Sequence, residues 1–566
     1  VATNLVAIAI NNVNGAAVAI TGQPTRTIAP LDLSAVLTTL EADGTRWVWW
    51  DKRTASELIR LGIRPARCWD LSAVHRLMVG GWQSGPALIW AHASGLSGDA
   101  IPSVEPVDLF TQEVEAGDEH DPLRPDGYLR PEWVEGSWAG DLDRMGRWAE
   151  LALDVQHLQA AMLIDTPESG ASRRRTTALS ESAAEAICAE LEIDGLPFDR
   201  DVGESIIEGF VGPRPRNPGE ERDRLNELDQ RVLEHLPTGV DFDLRSPDQV
   251  KSLLRRVGIE VPDTRAWRLE GLRYAHPIVE PLLAWRRAER IRTTFGYHWI
   301  DENVGDDGRL RGRWHASDGA AGRMTATVGL HNMPSEMRPA IAAEMGHVFI
   351  RADLGQIEPR VLAAVSGDAK LAAAAQEADM YAPVAEQLRV ERDIAKVAVL
   401  GAMYGQTTGK GAEALRGLER EYPVAMGHLL AADEAAQGGN DLRTYGGRRI
   451  QMSGSVGDEM SDRDARSRAA ARGRYGRNAL VQGAAAEFFK TWAVLVRARG
   501  TLLRAKLVLC LHDELVVHTP AEAADATAAL LDDCLQEAAH RWLPTASTTV
   551  RFVTDTSIIN RWSEAK

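Results

Sequence analysis

An α+β multidomain fold is what the sequence predicts, on three observations. The chain has 566 residues, 44% of them hydrophobic and 26% charged, which is enough to bury two to four globular cores. Its first hundred residues alternate strand-like runs with helix-like ones, the pattern of a small α/β domain. Beyond residue 180 long helical patterns dominate, and short apolar runs such as Val348–Ile350 and Leu507–Leu511 return among them as strands.

In chain order, Trp47-Val-Trp-Trp50 is a buried-strand pattern, and Thr54–Leu61 and Leu71–Val79 carry helical periodicity. From Pro102 to about Glu135 the composition turns acidic and rich in Pro and Gly, which predicts a mobile loop over 102–135. Helical patterns resume at Arg144. Ser246-Pro-Asp-Gln-Val250 is an N-capped helix start with Pro in the first turn.

Chemistry concentrates in three later segments. In Arg351-Ala-Asp-Leu-Gly-Gln-Ile-Glu-Pro-Arg360 an apolar run ends on Asp353 and a helical pattern follows. In Leu507-Val-Leu-Cys-Leu-His-Asp-Glu-Leu-Val-Val-His518 two apolar runs flank a tight His512-Asp513-Glu514 corner, a β-hairpin with carboxylates at its tip. A strand end and a hairpin tip are rigid places for carboxylates, and two brought together can bridge a pair of Mg²⁺ ions for phosphoryl chemistry. Between them, Arg392, Lys396 and Leu400 lie at i, i+4 and i+8 on one helical face, with Tyr404 a turn further on and Gly401 alongside. Two cations, an apolar contact and a phenol along one face suit a triphosphate-bearing ligand. Each segment taken alone has a bland counterpart: a turn aspartate, or an amphipathic helix with a solvated basic edge.

The net charge of −17 would repel a polyanion, so local charge must decide any binding of nucleic acid. Arginine is clustered: Arg286, Arg287, Arg290 and Arg292 on one predicted helix, and Arg443, Arg448, Arg449, Arg463, Arg466, Arg468, Arg472, Arg474 and Arg477 in one stretch. Four cysteines (Cys68, Cys188, Cys510, Cys534) lack metal-type or disulfide-type spacing, which suits a reducing cytoplasm. The expectation is a cytoplasmic, nucleoid-associated monomer with no membrane partner. Its apolar N-terminus lacks a basic leader and is expected to be a strand.

Together the three segments resemble motifs A, B and C of the family A DNA polymerases, the group containing bacterial DNA polymerase I. The order and spacing agree, and Ala321-Gly-Arg-Met-Thr-Ala-Thr327, Leu330-His-Asn-Met-Pro334, Thr444-Tyr-Gly-Gly-Arg-Arg449, Asn478-Ala-Leu-Val-Gln-Gly483 and the final Trp562-Ser-Glu-Ala-Lys566 fit as well. The likeness covers roughly residues 180 to 566. It is greatest to a short actinobacterial exonuclease/polymerase branch, which shares Glu-Pro-Arg in motif A and Leu-Gly-Ala-Met-Tyr-Gly in motif B. The resemblance implies a right-hand architecture preceded by a degenerate 3′–5′ exonuclease-like domain. The implied divisions are 1–175 exonuclease-like, 176–300 thumb, 301–366 first palm part, 367–440 fingers and 441–566 second palm part. Only 17 residues separate Tyr404 from Tyr422-Pro423, so the fingers look shortened.

What the resemblance implies for function is primer extension on a DNA template, with deoxynucleoside triphosphates as substrates and two Mg²⁺ ions (Mn²⁺ as substitute) held by Asp353 and Asp513. Glu514 would assist beside them. Arg392 and Lys396 would contact the β- and γ-phosphates, Lys396 with a catalytic role. Leu400, Tyr404, Glu358 and Gln356 would complete the nucleotide site, with Glu358 as a steric gate against a 2′-hydroxyl. Arg323, Asn332, Arg448, Asn478, Gln482 and His512 would contact DNA. Departures from the family pattern are Leu400 for an aromatic residue, Leu354 and Gly355 for Tyr and Ser, and Tyr381 for His. The exonuclease motifs are not matched: Thr54 stands where the second expects Asp, and Trp148 and Ala152 where the third expects Tyr and Asp. The acidic opening strand lies outside the sequence on this reading. The competing readings are a catalytically retired polymerase fold acting as a DNA-binding scaffold, and a reverse transcriptase or single-subunit RNA polymerase. Pro106-Val-Asp-Leu-Phe110 resembles bacterial clamp-docking peptides with Pro106 in place of Gln, which makes a sliding clamp a candidate partner.

Overall fold

In the computed structural model the described residues are 4–102, 118–164, 168–236, 242–405, 412–452, 462–543 and 550–565, and Pro106–Phe110 lies outside them. The chain forms two compact units. The first comprises Val1–Gly195, Arg313–Thr327 and Gly346–Ile559, and the second Leu196–Gly312, Val328–Met345 and Asn560–Lys566.

The first unit opens with β1 (Leu5–Asn11), β2 (Gly15–Ile20), β3 (Arg26–Ile28), β4 (Arg46–Trp49) and β5 (Cys68–Asp70) in the sheet order β3-β2-β1-β4-β5. β1 pairs antiparallel with β2 and parallel with β4, so β1 is central and its Val6–Ile10 are buried on both faces. That explains an unbroken apolar run in place of an alternating one. Asp51 and Asp70 cap the helices that follow β4 and β5: Asp51 accepts from the Arg53 amide and Asp70 from the Ala73 amide. Helices α1 (Leu142–Ile164) and α2 (Glu168–Asp194) follow.

Residues 118–135 depart from the mobile loop expected there. Leu123 bridges Leu129, Leu129 and Trp133 are buried, and Trp133 packs at 6.3 Å from Trp148. Proline and glycine in that stretch shape turns over a core instead of excluding one.

Strands β6 (Trp314–Asp318) and β7 (Arg323–Ala326) form a hairpin in the same unit. The sheet that matters most holds β8 (His347–Leu354), β9 (Lys506–Leu511), β10 (Glu514–Pro520) and β11 (Thr554–Ile559), ordered β9-β10-β8-β11 and antiparallel throughout. Its register sets Asp353 opposite Glu514 on one side and Asp555 on the other. Helix α3 (Ile357–Ser366) leaves the end of β8, and α4 (Arg392–Tyr404) packs in a separate core with Tyr381, Val384, Leu418 and Tyr422. The longest helix, α5 (Asp462–Gly500), is long and apolar enough by composition to cross a membrane, but its most apolar stretch is 89% buried inside the protein. It is a core helix.

The second unit is helical, with α6 (Val279–Phe295) central in a cluster of Val232, Leu253, Leu269, Leu282 and Trp285. Ser246 caps the Pro247–Arg256 helix as its sequence predicts.

Candidate active site

The three predicted segments converge. Asp353 is the penultimate residue of β8, and the tight turn between β9 and β10 places His512 and Asp513 beside it, His512 with φ +52°. The Leu354 amide donates to the Asp513 carbonyl at 2.9 Å, which ties the end of β8 to the hairpin tip. Burial pushes the Asp513 carboxyl up to about 7, Arg323 opposing the shift while Glu358 and Asp353 add to it. Burial also raises Asp353, against the nearby Arg351 guanidinium, and Glu514 and Asp555 raise it further. Two partly desolvated carboxylates, Asp513 raised further by Asp353, form a donor set for a hard cation, so oxygen-liganded Mg²⁺ or Mn²⁺ fits these residues.

Beside this pair lies a second network. The Tyr404 hydroxyl donates to Glu358 Oε2 at 2.9 Å, and Arg323 Nη2 donates to Glu358 Oε1 at 2.5 Å. The Glu358 side chain is only 9% exposed, so its carboxylate is fixed from two sides. Burial and the Glu358 charge push the Tyr404 phenol up to about 12, against the nearby Arg323 guanidinium and Gln482 amide. Glu358, Tyr404, Arg323 and Gln482 are therefore one cluster, built from α3, α4, β7 and α5.

On α4, Arg392 and Lys396 are exposed. Arg392 Nε bonds Asp379 Oδ2 at 2.5 Å and its guanidinium lies 5.7 Å from the Tyr381 ring centre. Asp379 in turn accepts from Gln356 Nε2 at 2.6 Å. Gln356, in the left-handed region at φ +56°, also accepts from the Met380 amide, so it braces the loop that presents Asp379. Leu400 is half-buried against the α4 core.

The predicted DNA contacts divide. Asn478 is half-buried with an orphaned Oδ1, and His512 is exposed at the hairpin tip. Asn332 belongs to the second unit, where its carbonyl accepts from Arg290 Nη2. Arg448 corrects its expectation. It is 2% exposed and pairs with Glu181 at 2.6 Å, so it is a core cation and presents nothing to a duplex. The basic clusters thin out in the same way. Arg449 pairs with Asp441, Arg472 donates to the carbonyls of Ala436 and Gln437, and Arg286 donates to Thr264, while Arg468, Arg474 and Arg287 stay exposed.

Two residues at the centre were missed by sequence reasoning. Arg351 donates to Glu514, Asp353 and Asp555 at 2.8, 3.0 and 3.2 Å. Strand alternation from Asp353 places Arg351 on the same face, a signal the sequence did carry. Asp555 is brought in by a strand about 200 residues away, which no local pattern announces.

The N-terminal cleft, about 390 Å³, is lined by Ile8, Ala9, Ile10, Thr54 and Trp148 among others. Thr54 and Trp148, two of the positions compared with the exonuclease motifs, thus share one cleft with β1. Trp148 stacks on Trp50 at 4.6 Å and on Trp138 at 5.9 Å. Asp51 is held by Arg53, Asp70 is buried beneath Trp49 Nε1, and Asp154 is exposed on α1.

A sequence profile described as DNA polymerase family A matches residues 218–564. Among curated relatives, the DNA polymerase I of Chloroflexus aurantiacus is 28% identical over 393 residues, 62% of this chain and 40% of that one. The thermostable DNA polymerase I of Thermus aquaticus is 29% identical over 336 residues, 53% of this chain and 40% of that one. This chain therefore spans about two fifths of the length of those relatives. The fold is that of the POL domain of Pol1 from M. smegmatis, solved in complex with DNA primer-template and dNTP, at a TM-score of 0.68 and 20% identity over 100% of this chain and 96% of that one.

Proposed function

The chain belongs to DNA polymerase family A, and from that premise we propose that it extends a primer 3′ end on a DNA template with deoxynucleoside triphosphates. The observation that carries this reading is the juxtaposition of Asp353 and Asp513 by the β8–hairpin bond, next to the Glu358–Tyr404–Arg323 cluster. Two Mg²⁺ ions held by Asp353 and Asp513 would supply charge neutralisation of the triphosphate and activation of the primer hydroxyl.

The chain's own groups do the rest. Lys396, exposed and without a carboxylate partner among the described residues, is free to meet the triphosphate. Arg392 exchanges Asp379 for phosphate oxygens as the nucleotide arrives, and charge-assisted donors there act on the leaving pyrophosphate. The immobilised Glu358 carboxylate fills the space a 2′-hydroxyl would need, so deoxyribose is accepted and ribose refused. Gln482 and Asn478 supply hydrogen-bonding groups to the minor groove, where purine N3 and pyrimidine O2 sit at similar places in every pair.

We further propose that the N-terminal domain has no exonuclease chemistry, since two-metal cleavage needs a set of about four carboxylates and its cleft offers two, Asp51 and Glu57, already paired with Arg53 and Arg60, among apolar β1 residues, Thr54 and Trp148.

Primer extension by Asp353→Ala and Asp513→Ala tests the reading. Both should lose at least about 10³-fold in rate, the scale of removing a group that stabilises the transition state, with duplex affinity retained. Extension by either variant at a tenth of the unmodified rate would overturn it.

A further inference from the structure

Arg351 has no role in the polymerase reading, yet it sits in the middle of the carboxylates. Side chains two residues apart on a strand share a face, so Arg351 and Asp353 point the same way. The antiparallel register brings Glu514 and Asp555 to flank Asp353 on that face. One guanidinium then meets three acids: Nε to Glu514 Oε2 at 2.8 Å, Nη2 to Asp353 Oδ2 at 3.0 Å and Nη1 to Asp555 Oδ2 at 3.2 Å. The Arg351 side chain is 10% exposed, and that of Glu514 is 14% exposed. Only a planar fork with five N–H groups can address three separate carboxylates at once; an ammonium on a flexible stem cannot.

The charges do not balance without it. Asp353, Glu514 and Asp555 bring three carboxylates side by side at the end of one sheet, with the Asp513 carboxyl next to them. Arg323, the other nearby cation, is bonded to Glu358. Arg351 is the charge that lets Asp353 and Glu514 stay side by side before any metal arrives. It also holds one Asp353 oxygen, Oδ2, and fixes the direction of the other.

We infer that Arg351 is a positioning residue and a built-in counter-cation, which orients Asp353 and sets the divalent-ion concentration at which the site fills. The inference rests on the polymerase reading of this site. A positive charge bonded to Asp353 orders the carboxylates and at the same time repels the ion they are ordered for. At a separation of about 5 Å in water-like dielectric, that repulsion is worth roughly tenfold in ion affinity.

The test is Mn²⁺ binding to the full chain without DNA, read by loss of the free-ion electron paramagnetic resonance signal. Asp353→Asn defines the isotherm that belongs to the site. Arg351→Gln, which removes the charge, should bind that ion about tenfold more tightly. Arg351→Lys, which keeps the charge and loses the fork, should bind within about threefold of the unmodified chain, the size of ordinary context effects. Both should show lower kcat at saturating metal, with KM for the nucleotide unchanged, because Asp353 is no longer aimed. Equal or weaker Mn²⁺ binding by Arg351→Gln overturns the inference and leaves the polymerase reading intact. If Arg351→Gln fails to fold by circular dichroism, Arg351→Lys decides: full turnover, or an affinity shift beyond threefold, overturns it. An unmodified chain with no ion sensitive to Asp353→Asn would instead sink the polymerase reading, and this inference with it.

Discussion

Glu358 and Arg360, two residues apart in one motif, are both buried charges with opposite kinds of partner. Glu358 faces the site and is held by Tyr404 and Arg323. Replacing it with alanine should open the space beside the sugar: ribonucleotide incorporation should rise by about 10²-fold or more, as expected when a buried discriminating group is removed, in single-nucleotide extension assays. Arg360 is fully buried and, among the described residues, pairs with no carboxylate. It donates to the carbonyls of Gly355, Ala375, Glu377, Ala378 and Arg551 at 2.6–3.1 Å. Arg360→Met leaves those acceptors dry and unpaired, so urea melts should show a loss of about 3–5 kcal/mol. Leu400 belongs with Glu358: Leu400→Tyr supplies a phenol next to the sugar and should improve dideoxynucleotide use severalfold in competition assays.

Among the elements, those whose signals were local were legible. The strand carrying Asp353, the hairpin at Asp513, the face of α4 and the cap at Ser246 all follow from periodicity and turn chemistry within a dozen residues. Asn217 is a further cap, accepting from the Gly219 and Glu220 amides at 2.9 and 3.0 Å. Asn217→Ala should cost about 1 kcal/mol in the unfolding of the second unit. What stayed hidden was non-local. Whether an arginine in a basic run meets water or a carboxylate depends on an element hundreds of residues away, and Arg448 met Glu181 of α2. Residues 118–135 have a loop's composition, yet Leu129 and Trp133 are enough to pin them. Asp555 carries no motif of its own, and only strand pairing reveals it.

At the scale of the whole molecule, acid is expected to unfold the chain partly through one imidazole. His75 is buried, stacks on His92 at 5.1 Å and is pushed down to about 3 by burial, with His92 and Arg76 adding to the shift. In the unfolded chain it titrates near 6.5. Below that pH the unfolded state takes up a proton that the folded state refuses until about pH 3. Stability is thus complete above pH 6.5 and falls toward pH 3, by up to about 1.4 kcal/mol per pH unit from this group. His75→Phe should flatten the decline of the melting temperature between those limits; an unchanged slope would show that other groups dominate.

The buried ion cluster around Arg448 has a consequence for how the first unit can be dissected. Glu181, on the helix that closes the N-terminal sheet, lies between Arg448 at 2.6 Å and Lys490 at 2.5 Å, and all three side chains are at most 3% exposed. Glu190 on the same helix bonds Arg497, and Glu192 bonds Lys52. Cutting the chain after that helix would remove the carboxylate that both cations bond, a cost of several kcal/mol for each charge left unpaired. The N-terminal domain thus supplies counter-ions to the rest of the unit whatever its own chemistry, so the shortest soluble fragment that keeps this unit folded should begin before Glu181, not after it. Serial N-terminal truncation, scored by soluble yield, would place that limit.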